Sequence, residues 1–126
     1  MELSKLKPNP TTTLELVHPD PEQNPTGVVL TLAGRDSAEV KAVLASITAR
    51  HIAAQRKGVK AAKQEDIEAD AIRLLAAAVL GWEGLTENGE PLPCTPENVM
   101  TLLTDYAWVR RQVDEAIGND ALFFSA

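Results

Sequence analysis

The sequence predicts an α+β protein, predominantly α, in which an N-terminal β-hairpin packs on a bundle of about four helices. Three observations carry that expectation. Two N-terminal stretches alternate apolar and polar residues on either side of a turn-rich segment, which is the period of strands. From residue 36 onward apolar residues recur every three or four positions instead, which is the period of helices. The apolar fraction is an ordinary 44%, but it is rich in alanine and only 4% of residues are aromatic, so the core should be closely packed with few large anchors. At 126 residues the chain has room for one domain.

Residues 1–10 read as an extended N-terminal arm, because Pro8 and Pro10 exclude a helix there. The hairpin spans 11–34. "TTTLELVH" sets Leu14 and Leu16 on one face, "VVLTLAG" sets Val28, Leu30 and Leu32 on one face, and "PDPEQNPTG" between them is dense in turn residues. A two-stranded hairpin is marginal by itself, so it must pack on helices or pair with another chain. Asp36 or Ser37 can cap a helix over 36–57 whose inward residues are Val40, Val43, Leu44, Ile47 and Ile52, and Gly58 ends it.

A second helix is expected over 64–80. Glu65, Asp66 and Glu68 load its first turn, the positive end of the helix dipole. Ile67, Ala71, Leu74, Leu75, Ala78 and Val79 form its inward stripe, and Gly81 stops it. Thr95 as N-cap and Pro96 at the first helical position open a helix over 96–104, with Val99, Leu102 and Leu103 inward. A last helix over 106–117 turns Tyr106, Val109, Val113 and Ile117 inward and ends at Gly118-Asn119. Residues 11–118 are thus one domain, and 119–126 a flexible C-terminal tail.

Charge is unevenly distributed. Residues 1–34 carry two bases against four acids, residues 35–63 seven against two, and residues 64–126 three against twelve, within a net charge of −6. Either the basic middle pairs with the acidic half, or the opposite poles let copies self-associate or attract a charged partner. The basic run Arg50, Arg56, Lys57, Lys60 and Lys63 is the one candidate for phosphate binding, but no aromatics are interleaved with it. Nucleic acid is therefore not the expected partner.

No catalytic, cofactor or metal constellation is legible. Cys94 is the single cysteine and lacks a basic neighbour; His18 and His51 fall on different elements. "ENGE" at 87–90 fits a tight Asn-Gly turn better than a calcium loop. No Gly-rich loop precedes a Lys-Ser/Thr pair. The first ten residues lack the apolar core of a signal peptide and no apolar run is long enough to span a bilayer, so neither an enzyme nor a membrane protein is expected. What remains are large apolar side chains in unusual places. Trp82, Leu85, Leu92 and Trp108, with Leu122, Phe123 and Phe124 of the tail, are the candidate partner-binding residues. Trp82 and Trp108 are either core anchors or parts of a docking surface.

The stretch "LGWEGLTENGEPLPCTPENVMTLLTDYAWVRRQVDEAI" resembles the C-terminal half of the small tail assembly chaperones of long-tailed bacteriophages. Gly81, Trp82, Gly89, Leu92, Pro93, Thr95, Glu97, Asn98, Leu102 and Leu103 match that family's order, and "KLKPNPT" at 5–11 looks like its N-terminal arm. Cys94 departs from it, standing where an aromatic is usual. The resemblance implies a non-catalytic chaperone that coats the tape measure protein, and brings tail tube subunits to it, in the host cell cytoplasm, and that is missing from the mature virion. It also implies a frameshifted longer form diverging near Phe123-Phe124. The rival readings are a small nucleic-acid-binding or regulatory module using residues 50–63, and a structural component that stays in the virion.

Overall fold

In a computed structural model, which describes residues 2–58 and 64–124, the chain is an α+β protein with four α-helices and a small antiparallel sheet. After a 3-10 helix at Leu3–Leu6 come β1 (Thr11–Val17), β2 (Pro25–Ala33), α1 (Ala38–Arg56) and α2 (Gln64–Ala78). Then follow β3 (Val79–Glu83), the short strands β4 (Thr86–Glu87) and β5 (Glu90–Pro91), α3 (Pro96–Asp105), α4 (Ala107–Ile117) and a 3-10 helix at Asp120–Phe123.

Local chemistry sets the helix starts. The Ser37 hydroxyl accepts from the Val40 N–H at 3.2 Å and opens α1. Thr95 does the same for Asn98 at 3.2 Å, and Pro96 occupies the first helical position of α3. The core lies between one face of the sheet and α2, α3 and α4. Leu30, Leu32, Leu103, Val109 and Val113 are its most enclosed side chains, joined by Leu16, Ile72, Val99, Leu102 and Ile117.

The sheet contains the expected hairpin, β1 paired antiparallel with β2, and extends it by a strand the sequence did not suggest. It has three strands in the order β1-β2-β3. The helix expected to run to residue 80 ends at Ala78, and Val79 goes directly into β3, pairing with Leu32 while Trp82 pairs with Leu30. The reason is non-local: β2 presents an open edge, and pairing satisfies backbone groups that another helical turn would have satisfied only locally. A bulge between the Thr31–Gly81 and Leu32–Val79 pairs leaves Leu80 as the extra residue, 43% exposed.

The outer strand β1 is covered by side chains. Gln112 of α4 donates through Nε2 to the Val17 carbonyl at 2.8 Å, and its Oε1 accepts from the Val17 N–H at 3.0 Å. The Thr12 hydroxyl donates to the Leu122 carbonyl at 2.9 Å.

The two chain ends also differ from expectation. The arm is not wholly extended: residues 3–6 form a 3-10 helix, and the Asn9 N–H donates to the Phe123 carbonyl at 2.6 Å. The tail is not a free end up to Phe124. Asn119 caps a 3-10 turn by accepting from Ala121 N–H at 3.2 Å, and the Phe123 ring packs over Gly34 with 5% of the residue exposed. Burying one large ring stabilises by about 1.5–3 kcal/mol, enough to hold a short segment with no helical period of its own.

Several inward assignments fail on α1 and α2. Val40 is buried, but Leu44, Ile52 and Ile67 are close to half exposed, as is Tyr106. The cause is placement: α1 rests mainly on α2 and not on the sheet, so it has no second partner to cover the rest of its stripe.

Candidate functional site

The residues singled out in the sequence fall into three places. Trp82 is half-buried in β3 and its indole N–H donates to the Leu92 carbonyl at 2.7 Å. The Leu92 N–H donates to the Leu85 carbonyl at 2.9 Å. Between them β4 and β5 form a hairpin whose turn residues, Asn88 (φ 54) and Gly89 (φ 81), both lie in the left-handed region that a two-residue turn of this hand requires. Trp82, Leu85 and Leu92 therefore meet in one cluster that closes the hairpin. Trp82 and Leu85 also pack against the core. Trp108 and Leu122 are brought together elsewhere, beside Leu14 of β1, and both are half-buried against the core. Phe123 is buried, and Phe124 stands apart, 50% exposed.

Cys94 is half-buried beside the core, and burial pushes its thiol above the ordinary value. Its sulfur is accordingly protonated at neutral pH and a poor nucleophile. Among the described residues no group of three or more His, Cys, Asp or Glu side chains is placed to hold a metal ion, and no helix is long and apolar enough to cross a membrane.

One buried charge was not foreseen. Asp70 of α2 is 8% exposed and faces α1. Arg50 Nη2 reaches its Oδ1 at 2.5 Å, Arg73 Nη1 reaches the same oxygen at 2.8 Å, and His51 Nε2 lies 3.3 Å from Oδ2. Burial pushes this carboxyl up. The hydrogen bonds from Arg50 and His51, the Arg50 charge and the Arg73 hydrogen bond outweigh it, and the net displacement is below the ordinary carboxylate value. The cluster ties α1 to α2 across the helical hairpin. It also occupies Arg50, the first base of the run considered for phosphate binding; Lys60 and Lys63 of that run lie outside the described residues.

Exposed apolar side chains stand on the N-terminal arm, at Leu3 and Leu6, and on this hairpin. Leu44 is 49% exposed, Ile52 45% and Ile67 50%. A cleft of about 730 Å³ opens between α1, α2 and the start of α3, walled by Val43, Ile47, Ala76 and Met100. A groove of about 640 Å³ opens on the other side, between α1, α2 and α4. The signal for this surface was present in the sequence as the α1 stripe itself, which is apolar along a helix that carries bases and little acid after Glu39. What periodicity could not tell was that nothing would cover it.

Fold and surface together define a small, mainly helical protein that presents apolar side chains and clefts along one helical hairpin. The family model described as YdaY prophage protein matches residues 35–121, from the loop before α1 into the C-terminal 3-10 helix. The chain belongs to the YdaY prophage protein family and is of phage origin. No curated protein and no solved structure matches it.

Proposed function

We propose that the chain is a non-catalytic tail assembly chaperone of a prophage, binding the tape measure protein while the tail is built. The observation that carries this reading is the uncovered apolar surface of the α1–α2 hairpin, where Ile52 and Ile67 are exposed and Leu44 lines one of two clefts. A long helical partner has apolar stripes to cover before its assembly is complete. Side chains already half-buried gain only part of the ~1.5–3 kcal/mol of a full burial, so each contact is weak enough to be displaced when the tube closes around the partner.

Family membership supplies the phage setting. The ordered string from Gly81 to Leu103 supplies the tail-chaperone reading, and Trp82, Leu92, Thr95 and Asn98 of that string act together in the structure as hairpin clasp and helix cap. Tail tube subunits are the second proposed partner, the host cytoplasm the proposed site of action, and the finished virion is proposed to lack the chain.

The test is co-expression with the tape measure protein of the same prophage. The partner is expected in the soluble fraction and to co-purify with this chain. A tape measure equally soluble without it overturns the reading, and recovery of the chain in purified virions makes it a structural component instead.

A further inference from the structure

We infer that the groove between α1, α2 and α4 docks an acidic amphipathic helix of the partner protein. The proposal rests on the chaperone reading for its setting and adds the chemistry of the segment the partner must supply.

The floor of the groove is apolar. Leu44 comes from α1, Leu74 and Leu75 from α2, and Ala107 from α4. Ile67, one turn before Ala71 on the same face of α2, extends the floor beyond the groove and is 50% exposed. From Ile67 to Leu75 the stripe runs about 12 Å, the length of roughly two helical turns. The walls are helices, and a further helix can lay its own i, i+3/i+4 ridge between them.

The rim is basic. Arg35, Arg110 and Arg111 surround the groove against one acid, Asp114. Arg35 and Asp114 are 3.8 Å apart with side chains 64% and 62% exposed, a pair too wet to neutralise either strongly. Arg110 makes a long hydrogen bond to the Leu103 carbonyl at 3.4 Å. Arg111 has no ion pair among the described residues. This runs against composition. Residues 64–126 hold three bases against twelve acids; Arg73 is bound to Asp70, and the other two stand on this rim. An apolar floor bordered by guanidiniums is complementary to an apolar stripe bordered by carboxylates, which guanidinium groups grip bidentately. A second copy docked about a two-fold axis fits badly, because it would set the same arginines against each other.

The test uses fluorescence anisotropy of the full chain with two labelled helical peptides of about 18 residues, identical in apolar stripe but flanked by Glu in one and Lys in the other. The Glu peptide is expected to bind roughly tenfold tighter than the Lys peptide, with the preference shrinking as salt rises. Arg111→Glu should abolish the preference and Leu44→Asp the binding. Both positions are exposed, so the fold should survive, and circular dichroism checks it. Arg56→Glu, a base outside the groove, should change neither. Equal binding of the two peptides, unchanged binding by the groove variants, or a homodimer that Leu44→Asp dissociates without any peptide binding would each overturn the proposal.

Repeating the tape measure co-expression with the groove variants separates the two readings. If wild type and both variants keep the tape measure soluble alike, the groove fails and the chaperone stands. If wild type does not keep it soluble yet the Glu peptide still binds through Arg111 and Leu44, the chaperone fails and the groove stands.

Discussion

The Trp82 indole N–H and the Leu92 carbonyl meet at 2.7 Å, so a strand of the sheet and the approach to α3 are fastened to each other across the β4–β5 hairpin. Trp82→Phe keeps most of the ring and removes the donor, and should cost about 1 kcal/mol. Trp82→Ala also removes a half-buried ring and should cost roughly 3 kcal/mol, the low end of the range for aromatic truncation. Urea midpoints of the two variants measure both. A Trp82→Ala protein as stable as wild type would make this ring a docking residue after all.

Gly84 leaves no room for a side chain beside the Gly27 backbone. A Cβ on Gly84, whose φ is +82, would lie 2.2 Å from the Gly27 carbonyl oxygen. Gly84→Ala should therefore destabilise by clearly more than the ~1–2 kcal/mol that a left-handed backbone alone costs an L-residue. Gly89→Ala is the control, since its φ is +81 and nothing lies within 4 Å of the added Cβ. Equal losses at the two sites would show that the strands simply move apart.

Gln112→Ala leaves the Val17 N–H and carbonyl without the partners they have at 3.0 and 2.8 Å. A loss of about 1–3 kcal/mol is expected, with faster amide exchange at Val17. The same variant uncovers part of a sheet edge, so size-exclusion profiles should shift to larger species as concentration rises. A monomer of unchanged stability would contradict both.

At the C-terminal end, Phe123→Ala should cost about 3–4 kcal/mol, whereas Phe124→Ala should stay within about 0.5 kcal/mol, because the first ring is enclosed and the second is half in water. Thermal melts of the two variants decide it. If both are silent, the segment does not hold its place against Gly34.

The carboxyl of Asp70 is held below its ordinary value of 3.8, so its contribution runs in one direction with pH. The stabilisation is present above the unfolded value and is lost as pH falls through the lower, folded one. Denaturation of wild type and Asp70→Asn should differ at neutral pH, and the difference should close below pH 3.8. A gap that does not change with pH would mean that packing, not charge, holds α1 on α2.

The helix starts were legible because they depend on neighbours in sequence: Ser37 and Thr95 bond within three residues of themselves. The inward positions of α3 and α4, apart from Tyr106 at the junction between them, were legible for the same reason, since Val99, Leu103, Val109 and Val113 hold a strict helical period. β3 was not, because Val79 and Leu80 continue the apolar run of α2 and only pairing with β2 distinguishes strand from helix there. The packing of Phe123 was not legible because it lies over Gly34 and bonds to Asn9, both remote in sequence. The candidate site was hidden more deeply. Leu44 and Arg111 belong to separate helices, and no local pattern says that they will border one groove.

The direct passage from Ala78 into Val79 fixes the phase of the molecule. Each residue added to a helix turns everything beyond it by about 100°. With no linker to absorb that turn, a one-residue insertion at this junction would rotate the Leu74–Leu75 ridge out of register with Arg110 and Arg111 of α4, while leaving every strand pair intact. The junction behaves as a keyed coupling. Related chains can lengthen the β4–β5 turn at little cost, but their spacing between the α2 stripe and the strand should not vary by a single residue.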